Sequence, residues 1–258
     1  MKREILYIGY GDLGKRLSNI SSDKLNITAI GRNKESINHA NTQIQFDLNS
    51  NLSLKKELLS HYNALIITLV PQSFDLKGYE KGYIEGMKKI NQLLESVSFN
   101  TALLISSTRV YGSRNNFINE TTVALPDDFR GACLLKSEKL FTKNILSKQK
   151  LIARTSGLYN KSPTSNISKW VNHFDGQKII LPNKTMNRIC RDRVAKFMFN
   201  FCMLGSELKI LNLSEPSISY QDAFSKMFPN KSFSKYFEVN DIEKIFDLTT
   251  LNDSNLLE

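Results

Sequence analysis

Three glycines near the N-terminus have the spacing of a phosphate-binding turn. They form a Gly-x-Gly-x-x-Gly motif at residues 9–14, between an apolar run at residues 5–8 and an amphipathic run at residues 13–20. In a strand–turn–helix setting the first glycine permits a tight turn, the second lets the backbone approach a pyrophosphate, and the third lets helix and strand pack closely. The N-terminus of the helix also favours negative charge. The residues of this turn predicted to contact a dinucleotide are Gly9, Gly11, Asp12, Leu13 and Gly14.

The end of the second predicted strand carries Arg32, where a carboxylate is expected if the cofactor ribose has a free 2′-hydroxyl. A guanidinium pairs bidentately with a phosphate, so this position predicts NADP in preference to NAD. A solvated arginine at a strand end is the alternative. Asp47, after the third predicted strand, is expected either to contact the adenine or to cap the following helix. The other predicted cofactor contacts at strand ends are Asn33, Leu48 and Leu69.

Short β-rich runs alternate with amphipathic runs through the first part of the chain, which predicts βαβ units. The predicted strands lie at residues 5–8, 27–30, 44–46, 64–70, 102–106 and 151–153. The predicted helices lie at residues 13–20, 35–40, 52–61, 79–97 and 133–146. This pattern favours an α/β fold with a Rossmann-type, doubly wound parallel sheet.

Beyond residue 155 the pattern becomes irregular. The expected elements are a polar loop at residues 159–166, a strand at 178–181, a helix at 194–204 and a strand at 210–213. We therefore predict an NAD(P)-binding Rossmann domain over residues 1–155. Residues 156–258 are expected to form a smaller C-terminal substrate lobe, packed closely on the first domain.

The segment after the fifth predicted strand, residues 106–112, has the sequence Ser-Ser-Thr-Arg-Val-Tyr-Gly. It resembles the Ser-Ser-x-x-Val-Tyr-Gly segment of the extended and atypical short-chain dehydrogenase/reductases, in their NAD-dependent epimerase/dehydratase branch. The glycine motif and the segments at residues 154–159 and 187–192 extend the resemblance over residues 3–213. Bacterial atypical members are the most similar.

The resemblance implies that Ser107, with Thr108 beside it, orients a substrate carbonyl or hydroxyl. The acid/base pair of the family, Tyr-x-x-x-Lys on the next helix, is missing, because the sequence has no tyrosine between Tyr111 and Tyr159. Arg130 occupies the tyrosine position and a leucine the lysine position. Arginine stays protonated and cannot release and take back a proton, and leucine has no charge to tune a neighbour. The remaining candidates for a proton donor are Tyr159, Cys133 and bound water.

The resemblance places three of four arginines in segments that line the substrate cleft of the family. A cleft with several guanidinium groups favours a substrate that bears a carboxylate or phosphate. For each arginine, an ion pair with Asp192 or a contact with a helix terminus is the alternative. The predicted substrate-binding arginines are Arg109, Arg154, Arg188 and Arg191.

Composition limits the other possibilities. The 258 residues are 41% hydrophobic and 23% charged, as in ordinary packed proteins, and the longest apolar stretch, residues 64–70, is far shorter than the roughly 20 residues of a membrane-spanning helix. The net charge of +10 includes no basic run, so we expect a small-molecule substrate and no nucleic-acid or membrane partner. The 3 cysteines and 3 histidines are scattered, which indicates neither a disulfide framework nor a metal site and favours the cytoplasm. The resemblance suggests a homodimer through helices that flank the sheet.

Two functions fit these observations. The first is an NAD(P)-dependent epimerase/dehydratase-like enzyme or oxidoreductase that acts on an anionic or sugar-like metabolite. The second is a dinucleotide-binding sensor or scaffold that has lost the acid/base pair. Turnover of a substrate distinguishes the two.

Overall fold

Apolar segments of the chain form one large parallel sheet in the computed structural model, which describes residues 1–21, 23–50, 62–113 and 116–257. The strands are β1 (Arg3–Ile8), β2 (Leu25–Gly31), β3 (Thr42–Gln45), β4 (Ala64–Thr68), β5 (Ser98–Ser107), β6 (Asn116–Ile118), β7 (Leu146–Thr155), β8 (Gly157–Tyr159), β9 (Ile179–Leu181), β10 (Thr185–Met186), β11 (Arg188–Cys190), β12 (Ile210–Leu213), β13 (Ile218–Ser219), β14 (Phe237–Val239) and β15 (Lys244–Phe246). The main sheet has the order β12-β7-β5-β4-β1-β2-β3, and every pairing in it is parallel. This confirms the predicted α/β, doubly wound sheet.

Helices connect the strands and cover both faces of the main sheet. They are α1 (Asp12–Ser21), α2 (Lys34–Ile37), α3 (Leu76–Tyr79), α4 (Gly86–Leu93), α5 (Phe129–Asn144), α6 (Ser165–Asn172), α7 (Arg191–Leu204), α8 (Tyr220–Met227), α9 (Phe233–Tyr236) and α10 (Thr249–Asp253). A π-helical turn, Glu80–Glu85, joins α3 to α4, and a 3₁₀ turn, Thr108–Tyr111, follows β5. Within the described ranges, none of the helices combines the length and the apolar character needed to cross a membrane.

Alternate residues of the central strands enter two separate cores. On β1, Ile5 and Tyr7 belong to the core that α1 and α7 cover, whereas Leu6 and Ile8 belong to the core that α4 and α5 cover. All four side chains are fully buried. A parallel strand that is buried on both faces has a continuous apolar sequence, and for this reason the sequence alone predicted a strand at residues 5–8.

The C-terminal part of the chain returns to the main sheet. The strand expected at residues 210–213 in the smaller lobe is β12, which pairs with β7 at the edge of the main sheet. Helix α7 likewise packs against α1. The sequence pattern alone could not assign β12 to a sheet, because a short apolar strand has the same pattern in either sheet. The division of the chain at residue 155 stays a prediction.

Two helices also differ from the expectations. The helix predicted at residues 79–97 begins at Leu76, ends at Leu93 and contains the π-helical turn. Helix α6 was not predicted, although Ile167 and Val171 are buried on it with the i, i+4 spacing of a helix. The helix predicted at residues 52–61 lies outside the described residues.

The smaller lobe has a core of its own, rich in aromatic side chains. Phe224 of α8 is fully buried there and contacts the rings of Phe228, Phe233, Tyr236 and Phe237, with centroid distances of 5.4–5.8 Å. Aromatic pairs at these distances add to the hydrophobic stabilisation of a small core. The lobe is therefore stable enough to form one wall of a cleft beside the main sheet.

A buried ion pair joins α5 to two strands of the main sheet. Glu138 of α5 accepts hydrogen bonds from Arg154 Nη2 at 2.7 Å and from the hydroxyl of Ser106 at 2.6 Å. Arg154 Nη1 also donates to the hydroxyl of Tyr111 at 2.9 Å, and this hydroxyl donates to Asn212 Oδ1 at 2.9 Å. The side chains of the pair are only 3% and 4% exposed. Both charges have lost water, so each depends on the other for its stabilisation.

We expect Leu211→Ala in β12 to lower the free energy of unfolding by about 2–5 kcal/mol, because the fully buried side chain would leave a cavity. Leu204, at the end of α7, is 68% exposed, and Leu204→Ala is the matched control with an effect of about 0.5 kcal/mol or less. Urea denaturation followed by circular dichroism measures both variants. Equally small effects would contradict the position of β12 in the main sheet.

Arg154→Met is expected to lower the free energy of unfolding by about 3–5 kcal/mol, since it leaves the carboxylate of Glu138 buried without a partner. Lys88→Met is the control: it removes a pair with Glu85 in which both side chains are 54% exposed, and such pairs contribute about 0–1 kcal/mol. Urea denaturation is again the measurement. If the two losses are alike, the buried pair does not stabilise the fold as described.

Candidate functional site

Two clefts open beside the carboxyl ends of the parallel strands, where open α/β sheets bind ligands. The strand-end cleft, of about 320 Å³, lies at the ends of β1, β2, β3 and β4. The lobe cleft, of about 460 Å³, lies between the end of β5 and the smaller lobe. The predicted cofactor residues that line the strand-end cleft are Gly9, Gly11, Arg32, Asn33, Asp47, Leu48 and Leu69. The predicted substrate-side residues that line the lobe cleft are Ser107, Thr108, Arg109 and Arg188.

The turn after β1 depends on Gly9, which has a φ of +80°. A Cβ atom at Gly9 would lie 1.8 Å from the carbonyl oxygen of Thr68, at the end of the neighbouring strand β4. Thr68 Oγ1 also donates a 2.7 Å hydrogen bond to the carbonyl oxygen of Gly9. Only glycine fits this turn. Sequence reasoning missed Thr68, whose role depends on the neighbouring strand.

The other two glycines of the motif differ in their surroundings. A Cβ atom at Gly11 would have no atom nearer than 3.9 Å, so the backbone here is open to the strand-end cleft. A Cβ atom at Gly14 would lie 2.5 Å from the ring of Tyr10. Tyr10 itself packs on Tyr7 of β1 with ring centroids 5.2 Å apart. Gly14 therefore makes room for a tyrosine between α1 and β1, and the direct helix–strand contact that we expected is replaced by this ring.

The π-helical turn forms another wall of the strand-end cleft, which the sequence analysis missed. A Cβ atom at Gly82 would lie 2.3 Å from the carbonyl oxygen of Val70, so glycine allows the turn to approach the segment after β4. Gly82 and Gly86 both line the cleft. Two glycines four residues apart inside a predicted helix were the available signal. Single π-helical turns recur at functional sites.

Asn33 and Asp47 are held by local hydrogen bonds at the edge of the strand-end cleft. Asn33 Oδ1 accepts a 2.9 Å hydrogen bond from the backbone N–H of Glu35 and caps α2. Asp47 Oδ1 accepts a 3.0 Å hydrogen bond from the backbone N–H of Asn49. The carboxylate of Asp47 therefore stabilises its own turn while it remains exposed to the cleft.

Three predicted cofactor residues, Asp12, Leu13 and Gly14, do not line the strand-end cleft. Asp12 pairs with Arg16 at 3.0 Å and with Arg191 at 3.2 Å, and Arg16 also pairs with Asp192 at 2.5 Å. Leu13 packs against the core of the main sheet. The ion pairs join the N-termini of α1 and α7. Arg191, which was predicted to bind substrate, is thus placed outside the lining of the lobe cleft.

The four predicted substrate-binding arginines have different surroundings. Arg154 is buried in its pair with Glu138 and does not line the lobe cleft. Arg109 lines the cleft and is paired with Asp128 Oδ2 at 2.6 Å. The side chain of Arg188 also lines the cleft, and it has no hydrogen-bond or ion-pair partner within the described part of the chain. Arg188 is therefore the arginine of this set that is most available to an anionic ligand.

Two further residues of the lobe cleft were missed by the sequence analysis. Asn183 has a buried Oδ1 atom without a hydrogen-bond partner among the residues that the structure describes. Lys244 of β15 is only 8% exposed, and its Nζ donates to the carbonyl oxygen of Gly112 at 2.5 Å. Neither residue belongs to a motif. They join the cleft only because the smaller lobe folds back on the end of β5.

Neither side-chain candidate for the missing proton donor lines the lobe cleft. The hydroxyl of Tyr159 donates to Glu215 at 2.6 Å, and burial together with this hydrogen bond raises the pKa of Tyr159 to about 12. Cys133 is 4% exposed, and burial raises the pKa of its thiol. Both groups therefore hold their protons more firmly than usual. The described residues also include no group of three or more His, Cys, Asp or Glu side chains placed to hold a metal ion.

Comparisons with known proteins relate this fold to sugar-nucleotide epimerases. No protein-family model and no curated protein matches the sequence. Solved structures match almost the whole chain, at low sequence identity. The UDP-glucuronic acid 4-epimerase from Bacillus cereus in complex with NAD is 14% identical, with a TM-score of 0.74 over 99% of this chain and 93% of that chain. MoeE5 in complex with UDP-glucose and NAD is 15% identical, with a TM-score of 0.73 over 97% of this chain and 91% of that chain.

A third structure, from Methylobacillus flagellatus, is described as an NAD-dependent epimerase/dehydratase. It is 18% identical, with a TM-score of 0.73 over 98% of this chain and 92% of that chain. At such low sequence identities the similarity concerns the fold alone. Because the matches cover almost the whole chain, this similarity includes the smaller lobe as well as the main sheet.

The prediction of NADP over NAD is wrong, because several similar structures are complexes with NAD. The structure gives a physical reason. Arg32 is exposed at the edge of the strand-end cleft. Among the residues that the structure describes, its guanidinium has no hydrogen-bond partner, whereas its carbonyl oxygen accepts a hydrogen bond from Gln45 Nε2 at 3.2 Å. A single solvated guanidinium does not make a phosphate-binding site, because such a site requires several hydrogen-bond donors in fixed positions. The alternative of a solvated arginine at a strand end describes Arg32 better.

The three structures match this chain over 97–99% of its length with TM-scores of 0.73–0.74. The chain therefore has the same fold as these NAD-dependent epimerase and epimerase/dehydratase structures, which confirms at the level of the fold the resemblance recognised in the sequence.

Proposed function

We propose that this protein is an NAD-dependent enzyme of the epimerase or oxidoreductase type that acts on an anionic, sugar-like small molecule. The observation that carries the proposal is the turn at Gly9, which excludes a side chain and leaves the backbone at Gly11 open to a cleft. Glycine turns between a first strand and its helix hold pyrophosphates. The lobe cleft beside β5 provides room for a second reactant.

The strand-end cleft suits a dinucleotide. Gly11 and the N-terminus of α1 would hold the pyrophosphate, and Asn33 and Asp47 would contact the adenosine half at the ends of the second and third strands. Leu69 would cover the cofactor at the end of β4. NAD, when bound, supplies a hydride acceptor at its nicotinamide ring.

The lobe cleft suits an anion with several hydroxyl groups. The unpaired guanidinium of Arg188 is available to a phosphate or carboxylate, and the free Oδ1 of Asn183 to a hydroxyl. Ser107 Oγ accepts a 3.2 Å hydrogen bond from the backbone N–H of Arg109, so its own proton remains free to orient a substrate oxygen. Two similar structures hold UDP-glucose or UDP-glucuronic acid. We therefore extend the proposal to a sugar nucleotide as the substrate class.

A sensor that binds the dinucleotide without chemistry is the second candidate. It is favoured by one observation, the absence of any tyrosine between Tyr111 and Tyr159 in the sequence. It differs from the first candidate in predicting NAD binding without turnover. The homodimer suggested by the resemblance stays a prediction for either candidate.

NADH is expected to bind the purified protein in a calorimetric titration, and Gly11→Val is expected to weaken binding at least tenfold. A valine here meets no neighbour within 3.9 Å at Cβ and has no positive φ to adopt, so the variant should fold while its side chain fills the approach to the pyrophosphate. Lys226→Met, on the exposed surface of α8, is the control. Tighter binding of NADPH than of NADH, or no binding at all, would contradict the proposal.

Arg188→Met is expected to raise KM for UDP-glucuronic acid about tenfold or more, with a smaller change in kcat, because it removes a charge that holds the substrate in both ground and transition states. Chromatography of the sugar-nucleotide product is the measurement, together with NADH formation at 340 nm, because an epimerase returns its hydride and accumulates no NADH. Lys226→Met is again the control. An unchanged KM would place the anion elsewhere. NAD binding without turnover of UDP-glucose, UDP-glucuronic acid or their N-acetylated relatives would favour the sensor.

A further inference from the structure

Lys244 is a buried lysine in the wall of the lobe cleft, and none of the motifs accounts for it. It lies on β15, is 8% exposed, and lines the same cleft as Ser107 and Thr108. Lysine is almost never buried to this extent unless it is paired. Lys244 has no carboxylate within ion-pair distance in the described portion of the structure. A buried, unpaired amine in a ligand cleft requires an explanation.

The amine of Lys244 is held beside the residue expected to orient the substrate. Its Nζ lies 2.5 Å from the carbonyl oxygen of Gly112 and 3.5 Å from that of Thr108, the residue after Ser107. The backbone of Lys244 is fixed in turn, because its carbonyl oxygen accepts hydrogen bonds from Thr185 Oγ1 at 3.0 Å and from Asn187 Nδ2 at 2.8 Å. The amine therefore has a fixed position at the end of β5.

The two carbonyl oxygens near Lys244 Nζ can accept hydrogen bonds from either a neutral amine or an ammonium group. A neutral amine has two hydrogens for the two carbonyl oxygens and keeps a lone pair for a third partner. An ammonium group has three hydrogens and can offer the third to the same partner. Since Lys244 lines the lobe cleft, a ligand oxygen is the partner that this geometry admits.

The charges that face Lys244 come from both walls of the lobe cleft. They are Asp127 and Asp128 ahead of α5, Arg109 after β5, and Arg188 on β11. Burial lowers the pKa of Lys244 to about 8, while Asp127 opposes the shift and Arg109 adds to it. Asp127 remains an anion, because hydrogen bonds from Ser113 hold its pKa below the usual value. Both forms of Lys244 are thus populated near neutral pH.

We propose that Lys244 Nζ takes and returns the proton of a substrate hydroxyl in the lobe cleft, the role for which this sequence has no tyrosine. The inference rests on the proposed function. In the oxidative direction the O–H bond of the substrate breaks, its proton forms a third N–H bond on the neutral amine, and the carbon–oxygen bond becomes a carbonyl. The hydride from that carbon is what NAD accepts when bound. In the reverse direction the ammonium returns the proton to the oxygen.

The first experiment measures the amine itself and requires neither NAD nor a substrate. Acetic anhydride acylates only the neutral form of a lysine, so competitive acetylation followed by peptide mass spectrometry reports the protonation state and the access of each amine. We expect the acetylation of Lys244 to level off above about pH 8–9. Lys184 is the internal reference, because its ion pair with Asp241 at 2.5 Å raises its pKa and its side chain is 54% exposed. Acetylation of Lys244 that stays below that of Lys184 at pH 8 would overturn the proposal.

The second experiment compares Lys244→Met and Lys244→Arg with the wild type in the same two assays, product chromatography and NADH formation. Removal of a positioned general base typically costs about 10²- to 10⁴-fold in rate, so we expect kcat to fall at least 100-fold in both variants. Arginine keeps the charge but cannot release a proton, so KM should change less in Lys244→Arg than in Lys244→Met. Wild-type kcat for oxidation should rise with pH through about 8, and this rise should be absent in Lys244→Arg. Lys226→Met should behave as the wild type.

The outcomes separate this inference from the proposed function. Wild-type turnover that Lys244→Met or Lys244→Arg retains, at unchanged melting temperature, would overturn the proton transfer and leave the proposed function intact. A wild-type protein that binds NAD and oxidises no sugar nucleotide would overturn the proposed function, and the proton transfer would fall with it. If both variants melt more than about 10 °C below the wild type, the pH profile of the wild type and the acetylation of Lys244 decide the question.

Discussion

The close approach of two backbone segments at Gly9 is the constraint on which the rest of the site depends. Strand β1 ends there against the carbonyl oxygen of Thr68, at a distance that leaves no room for a Cβ atom. The turn that follows directs α1 back over the sheet and leaves the ends of β1 and β4 as the floor of the strand-end cleft. A hydrogen bond from Thr68 Oγ1 to the carbonyl oxygen of Gly9 stabilises the same contact.

The buried pair of Glu138 and Arg154 supports the other half of the sheet. It joins α5 to β5 and β7 immediately below the segment that carries Ser107. Burying two charges is expensive, and hydrophobic residues of the same volume could provide equal stability. What they could not provide is a fixed position for Ser106 and Tyr111 beside the lobe cleft. The pair also explains why Arg154 is not available to a ligand, although its sequence position resembles that of a cleft residue.

The lobe cleft combines residues that are far apart in the sequence. Ser107 follows β5, Arg188 lies on β11 and Lys244 on β15, so three separate segments supply its polar groups. Its cations differ in what they can do. Arg109 is neutralised by Asp128, Arg188 is free to bind an anion, and Lys244 has a pKa at which a proton can be exchanged. A substrate that carries both a phosphate and hydroxyl groups would use all of these properties.

The sequence by itself determined six of the seven strands of the main sheet and the glycine turn. Strands buried on both faces have continuous apolar runs, and a Gly-x-Gly-x-x-Gly motif after the first of them leaves few other interpretations. The preference for NADP was overturned by comparison with NAD-bound structures, since Arg32 looks the same in sequence whether it is solvated or bound to a phosphate. Only the tertiary structure showed that β12 belongs to the main sheet, that Arg154 is buried and that Lys244 lines the same cleft as Ser107. The local sequence pattern shows which face of a strand or helix is apolar. Whether a charged side chain is buried, and which group it pairs with, depends on segments that come together only in the folded chain.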